Sequence, residues 1–379
     1  MQVTRGIGTV AALAALAGLA PVARAQEAAG APAVNGLFRL FADSKHVLVR
    51  SLVEECSVPL RGGTDLTLHW NHERVVVPGV SAPAGSAEAV DAITTASRPI
   101  SGDAYEDFVK LRDELEGSVS RGGATLGYYH SMERDYLAHQ VSAGYARDLQ
   151  DASLNLAVGT SWGWDDIEPL ADERSASAPD RKTTLHWNAV ATRVLSPVTV
   201  VRAGLEWNHV NGLQHNPYRM VYAGGSIVPE RHPDTRERRD AFVKVHHWLA
   251  NRSSLKFDYR LYDDDWGVRS HEIAGGLSQY VTRGLYAQWE YRWYTQTAAD
   301  FWRPEYLSPE GAGGYRTGDY RLSPLSSHLF GVSFNADLGA LAPASRRLRP
   351  FAVTLDWERY FNNNNYSADI LETGLEFRF

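Results

Sequence analysis

The stretch Leu285-Tyr286-Ala287-Gln288-Trp289-Glu290-Tyr291-Arg292-Trp293-Tyr294-Thr295-Gln296 carries two surfaces in one segment. Leu285, Ala287, Trp289, Tyr291 and Trp293 share one parity, while Tyr286, Gln288, Glu290, Arg292, Tyr294 and Gln296 share the other. Successive side chains of a strand point to opposite sides, so this period of two reads as a strand with lipid on one face and water on the other. The same split recurs in Leu255, Phe257, Tyr259 and Leu261 against Lys256, Asp258, Arg260 and Tyr262, and in Phe351, Val353, Leu355 and Trp357 against Thr354, Asp356 and Glu358. Trp70, Trp162, Trp164, Trp187, Trp207, Trp289, Trp293 and Trp357 all fall on the apolar parity, several near a strand end. Amphipathic rings form the interfacial girdles of membrane barrels there. A soluble sandwich would need a buried partner for each indole N–H. The reading is therefore all-β, a transmembrane antiparallel β-barrel.

Working outward from that segment, strands are expected near 36–43, 45–58, 63–78, 107–120, 122–133, 135–148, 151–164, 182–195, 197–210, 236–250, 253–264, 267–281, 284–297, 321–337, 349–361 and 368–379. This makes about 16 strands, an even number as single-chain bacterial barrels require, or 14 if the first two are dropped. Alternate connections are short and turn-like, among them Arg61-Gly62-Gly63, Ser120-Arg121-Gly122, Ser196-Pro197 and Thr282-Arg283-Gly284. These are assigned as periplasmic turns. The long connections at 79–106, 165–181, 211–235 and 298–319 are assigned as extracellular loops. Polar inner faces and this strand number imply a wide, hydrated lumen.

The termini fit the same location. Arg5, the uncharged run Gly6 to Leu19 and Ala23-Arg24-Ala25 form the three regions of a secretory signal peptide over 1–25. Its removal leaves 354 of 379 residues and moves the net charge from −7 to −9 as Arg5 and Arg24 are lost. A short periplasmic segment over 26–35 then precedes the barrel at 36–379, and it is too short to fold as the plug of a TonB-dependent receptor. At the other end, Leu371, Thr373, Leu375, Phe377 and Phe379 alternate with Glu372, Gly374, Glu376 and Arg378. An aromatic terminus on an alternating strand resembles the assembly signal of bacterial outer-membrane barrels. Phe379 and Phe377 are its candidate residues, and outer-membrane lipid and the barrel-assembly machinery are the partners implied.

Composition excludes other classes. One cysteine, Cys56, rules out a disulfide framework and any cysteine-based zinc or iron–sulfur site. An excess of 45 Asp+Glu over 38 Lys+Arg argues against nucleic acid, whose phosphates need a basic face. Gly159-Thr160-Ser161-Trp162-Gly163 matches Gly-x-Ser-x-Gly, but a nucleophile elbow needs a strand-to-helix turn and this match lies inside a strand. Asp263 to Asp265 lacks the glycine and distal glutamate of an EF-hand loop. His246 and His247 are adjacent in a strand, so their rings diverge and cannot share a metal. No catalytic residue, cofactor or metal is expected, and the protein reads as a non-enzyme.

Several loop and strand-end stretches resemble the DUF3570 family: Asp91-Ala92-Ile93-Thr94-Thr95-Ala96-Ser97, Asn216-Pro217-Tyr218-Arg219, Pro229-Glu230-Arg231, Arg236-Glu237-Arg238, Tyr259 to Gly267, Tyr294 to Phe301 and Asp319 to Ser323. The resemblance implies an outer-membrane barrel and carries no catalytic residues. Under the assigned topology these motifs gather at the outer end. Asp263, Asp264, Asp265, Arg269, Asp300, Asp319, Arg321, Arg219 and Arg231, with Arg236, Arg238 and Arg303, would then surround the mouth, either as a charged constriction or vestibule or as a salt-bridge network fixing the loops. Three functions stay open. One is a pore for a small polar or charged solute. The second is a scaffold or docking barrel for a periplasmic or surface protein, a redox partner included, and the third is an outer-membrane hydrolase.

Overall fold

The computed structural model describes residues 32–77, 108–170, 180–308 and 314–378. The signal peptide, all of the 79–106 connection and Phe379 lie outside the described residues. In chain order the strands are β1 (Ala33–Asp43), β2 (Leu48–Leu60), β3 (Thr64–Val77), β4 (Phe108–Arg121), β5 (Ala124–Glu133), β6 (Tyr136–Leu149), β7 (Leu154–Ile167), β8 (Asp180–Ser196) and β9 (Thr199–Gly212). A small hairpin, β10 (Met220–Ala223) and β11 (Ser226–Pro229), comes next. The series ends with β12 (Thr235–Leu249), β13 (Ser253–Asp264), β14 (Arg269–Tyr280), β15 (Leu285–Gln296), β16 (Leu325–Asp337), β17 (Phe351–Asn362) and β18 (Ser367–Arg378).

Sixteen of these strands close one antiparallel barrel, each paired with its sequence neighbour apart from β9, which pairs with β12 around the hairpin. Closure is made by β1, which runs from Ala33↔Arg378 to Asp43↔Ala368 along β18 and also pairs with β2. That double pairing removes the 14-strand alternative. Closing the sheet on itself satisfies every ladder and leaves no open edge, as a wall in lipid requires.

The period-two reading holds in three dimensions. Leu277, Trp289, Val332 and Trp357 lie side by side on four neighbouring strands. Trp289 and Trp357 are 45% and 44% exposed on the outer wall. The facing parity at the same height is Gly276, Glu290, Gly331 and Glu358. Exposed Leu, Val, Phe, Trp and Tyr side chains recur on this outer parity all round the barrel, from Phe38 on β1 to Leu375 on β18. A soluble monomer does not expose a continuous apolar belt of that kind.

Local chemistry sets the ends. The β4–β5 turn uses Gly122 and Gly123 at φ of 59° and 87°, the left-handed pair of a tight hairpin. A Cβ on Gly123 would also lie 2.2 Å from the Ala146 carbonyl oxygen. Several expected strand ends move by two to four residues, and one expected loop holds a hairpin. The strand expected from 321 begins at Leu325, because the Asp319 carboxylate accepts the Arg321 N–H and caps a 3-10 turn over Tyr320–Leu322. The 211–235 connection is not a plain loop, since it contains the β10–β11 hairpin. Between β16 and β17, Asp337 caps a single helical turn, α1 (Leu338–Leu341).

Candidate functional site

The inward parity of β3, β4 and β5 builds a charged inner wall. Arg112 is its centre: it pairs with Glu114, and its Nη1 and Nε lie 3.6 Å from Glu73 and Glu133. The Tyr129 hydroxyl donates to Glu114 at 2.6 Å. Lys110, one rung closer to the loops, pairs with Glu133 and lies 3.1 Å from Asp135. Further round the wall, Lys182 lies 2.7 Å from Asp165 and donates to the Tyr136 hydroxyl at 2.8 Å. Arg260 then reaches Glu206 and Asp240 at 3.6 Å each. Partners offset the cost of holding charge in such a wall. It carries three separate groups of ion pairs.

Lys110, Arg112, Tyr129, Glu133, Asp135, Tyr136, Asp165 and Lys182 line a cavity of about 270 Å³ together with Gln140, His186 and Asn208. Arg238 lines it from β12. Its Nε is buried with no hydrogen-bond partner, and among the described residues no carboxylate lies within ion-pair distance. The cavity therefore holds one uncommitted guanidinium among paired charges.

A roof of folded loops covers this space. Glu230, just after β11, is fully buried and accepts hydrogen bonds from the Thr317 hydroxyl at 2.8 Å and the Gly318 N–H at 2.7 Å. Arg219 lies 3.4 Å from Glu230 and 3.0 Å from Asp319. Asp319 in turn takes three hydrogen bonds from the Arg321 guanidinium at 2.6 to 2.9 Å. The two loops also meet through backbone bridges, Ala223↔Tyr306 and Arg231↔Arg316. Tyr218 spans further: its hydroxyl donates to Asp135 at 2.6 Å and accepts from the Leu170 N–H at 2.8 Å. Burial opposes the Asp319 charge, but the Arg219 and Arg321 guanidiniums outweigh it and hold the carboxyl well below its usual range. Burial pushes the His232 imidazole down to about 3, so this ring sits neutral against Trp266 and Phe301.

The nine charged residues expected around the mouth divide into separate groups. Arg219, Asp319 and Arg321 form the roof clamp, and Arg321 also lines the cavity. Asp264 is buried in the β13–β14 turn. Its carboxylate accepts from Arg236 Nε at 2.9 Å, Tyr262 at 2.7 Å, and the backbone of Trp266 and Val268 at 3.0 and 2.9 Å. Asp263 and Arg269 pair at 2.9 Å on the outer parity, away from the lumen. Asp265 holds the Glu237 N–H at 2.9 Å, and Arg231 is exposed at a backbone bridge. Asp300 lies against Gly267, whose φ is 87° and where a Cβ would fall 2.3 Å from the carboxylate. Phe377 pairs with Val34 and Phe351 on the outer parity, whereas Phe379 lies outside the described residues. Ser161 sits within β7, with no strand-to-helix turn.

Sequence reading by loops alone missed the charged wall of β3–β5 and the part played by Glu230, His232 and Thr317. The wall had a signal. Lys110, Arg112, Glu114 and Glu116 occupy one parity of β4 while Val109, Leu111, Leu115 and Val119 occupy the other. Carrying that parity across the β3 and β5 ladders brings Glu73 and Glu133 beside Arg112.

The closed wall with an apolar exterior and a charged interior defines the class, a transmembrane β-barrel. Residues 81–354 match the family described as "Protein of unknown function (DUF3570)", and the chain belongs to it. No curated protein matches the sequence. Among solved structures it is similar to the siderophore receptor PirA from Pseudomonas aeruginosa, at 11% identity and TM-score 0.42, covering 87% of this chain and 56% of the receptor. The chain thus spans about half the length of that receptor. It is also similar to a loop-deleted OmpT of Vibrio cholerae, at 10% identity and TM-score 0.44 over 93% and 100% of the two chains. OccD3 (OpdP) of Pseudomonas aeruginosa matches at 10% identity and TM-score 0.47, over 92% and 91%. At these identities no residue role passes from those proteins to this chain.

Proposed function

We propose that the protein is an outer-membrane channel that passes a small polar or charged solute, with its loops outside the cell and its tight turns in the periplasm. One observation carries this: the cavity beneath the roof is lined by the ion-paired Lys110, Arg112, Glu133, Asp165 and Lys182 and by the uncommitted Arg238, set among Ala138, Ile167, Val210 and Leu213. Rings of charged side chains set preference in such passages. The roof clamp of Arg219, Glu230, Asp319 and Arg321 is the vestibule a solute would pass. A second reading, a docking barrel, draws support from the apolar cluster of Phe41, Val49, Val75, Val77, Leu329, Tyr360 and Ile370, which fills part of the inner wall near the loop end. Solute flux into liposomes separates the two. A channel lets small zwitterionic and charged solutes enter faster than protein-free vesicles do. Equal entry with and without the protein would leave the docking barrel.

A further inference from the structure

Register exposes an anomaly on the lipid-type face. Along one row of the outer wall, four strands present Leu40, Arg50, Arg74 and Leu111, each directly opposite the next. Arg50 and Arg74 are both exposed, and no hydrogen bond or ion pair engages either guanidinium among the described residues. Like charges placed directly opposite each other repel. The row nearer the loops is apolar: Ala42, Leu48, Val76 and Val109. The row beneath is Phe38, Leu52, His72 and Asp113, and its single carboxylate is taken by His72 at 2.8 Å. Two adjacent cations thus stand in an apolar field, two residues in from the loop end of β2 and three from that of β3. Elsewhere on this parity, Arg181 pairs with Asp166 and Arg359 with Asp369, while Arg121, Arg147, Arg193 and Arg239 are exposed without an ion pair among the described residues, but none of these stands opposite another arginine.

We infer that Arg50 and Arg74 form a binding site for the phosphorylated headgroup of an outer-leaflet lipid, with Phe38, Leu40, Leu52 and Leu111 receiving its acyl chains. A guanidinium matches a phosphate through paired N–H donors, and one phosphate between the two side chains removes their mutual repulsion. The height fits, because an arginine tolerated near the interface becomes costly toward the midplane. The inference rests on the orientation proposed above but not on transport, so a closed barrel could still hold the lipid.

The test uses the purified full chain in neutral detergent, with heat-modifiable migration as the folding control. Native mass spectrometry compares retention of bisphosphorylated lipid A with its dephosphorylated form. Wild type is expected to prefer the phosphorylated lipid by about tenfold or more, the scale of one charge-assisted contact. Arg50→Gln with Arg74→Gln should abolish the preference, while Arg359→Gln keeps it. Without lipid the double variant should be at least as stable as wild type, because the opposed charges are gone. Three outcomes would overturn the inference: the preference persists in the double variant, inorganic phosphate displaces the lipid at equal concentration, or the arginines prove to hold a second copy of the chain through a dimer that the double variant dissolves.

Discussion

Exchanging single residues between the two faces of β15 gives the sharpest stability prediction. Trp289 is on the outer wall, 45% exposed, in a row with Leu277, Val332 and Trp357. It is the fifth of twelve residues in the strand, close to mid-height. Trp289→Arg puts a charge into that row at a cost of about 2–4 kcal/mol, the value for a lipid-facing arginine near the midplane. Lost contact of the indole with its apolar neighbours adds to this. One residue on, Glu290 points inward, with Glu358 beyond the bare backbone of Gly331. Lys256 lies on the other side beyond Gly276, so Glu290→Arg gains one opposite charge and loses another, and its expected change is roughly 0–1 kcal/mol and of either sign. Reversible denaturant titration in lipid vesicles measures both, with the slope m unchanged if the barrel unfolds as a unit. Equal destabilisation by the two substitutions would refute the assignment of faces.

Other perturbations address the loops and the turns. Glu230→Ala leaves Arg219, Thr317 and Gly318 short of an acceptor and should loosen the roof by roughly 2–4 kcal/mol, read as faster proteolysis of the 213–234 and 297–324 connections with the barrel intact. His232 is held neutral by burial, with a pKa of about 3 against an unfolded value near 6.5. The unfolded loop then binds more protons across that interval, so roof stability is full above about pH 6.5 and falls as pH drops toward 3. The acidic and basic groups facing this ring are Glu230, Asp319, Arg219, Arg236 and His215, and the depressed Asp319 stays charged throughout. His232→Phe should flatten the pH profile of loop proteolysis, and an unchanged profile would assign it elsewhere. Asp264→Asn should destabilise the β13–β14 turn by about 3–5 kcal/mol, because Arg236 loses its buried partner, whereas Asp265→Asn should change thermal stability little. Phe379→Asp is expected to lower the yield of folded, heat-modifiable barrel in the outer membrane, and normal yield would remove Phe379 from the assembly signal.

Most of the barrel was legible because a wall between lipid and a polar interior imposes period two on every strand. Leu285 to Gln296 shows it within a single segment. Strand ends near capping side chains were harder to read, as at Asp319, whose hydrogen bond to the Arg321 backbone holds a 3-10 turn where alternation alone extends β16. The candidate site was only partly legible. Clustering charges by loop brought Arg219, Asp319 and Arg321 together, as the structure does, but also included Asp263 and Arg269, which parity turns outward. Side-chain direction depends on register across strands, and a loop motif does not encode it. Glu230 and Thr317 are 87 residues apart in sequence and meet only when two loops fold over one opening. Arg50 and Arg74 become a pair only when β2 and β3 are aligned.

Single-channel conductance of the purified barrel in a planar bilayer tests the central proposal most directly. The account predicts discrete openings whose ion preference shifts toward cations when Arg238, the uncommitted cation of the cavity, is replaced in Arg238→Gln, with more frequent openings in Glu230→Ala. A folded, inserted barrel that stays silent in wild type and in both variants would contradict it.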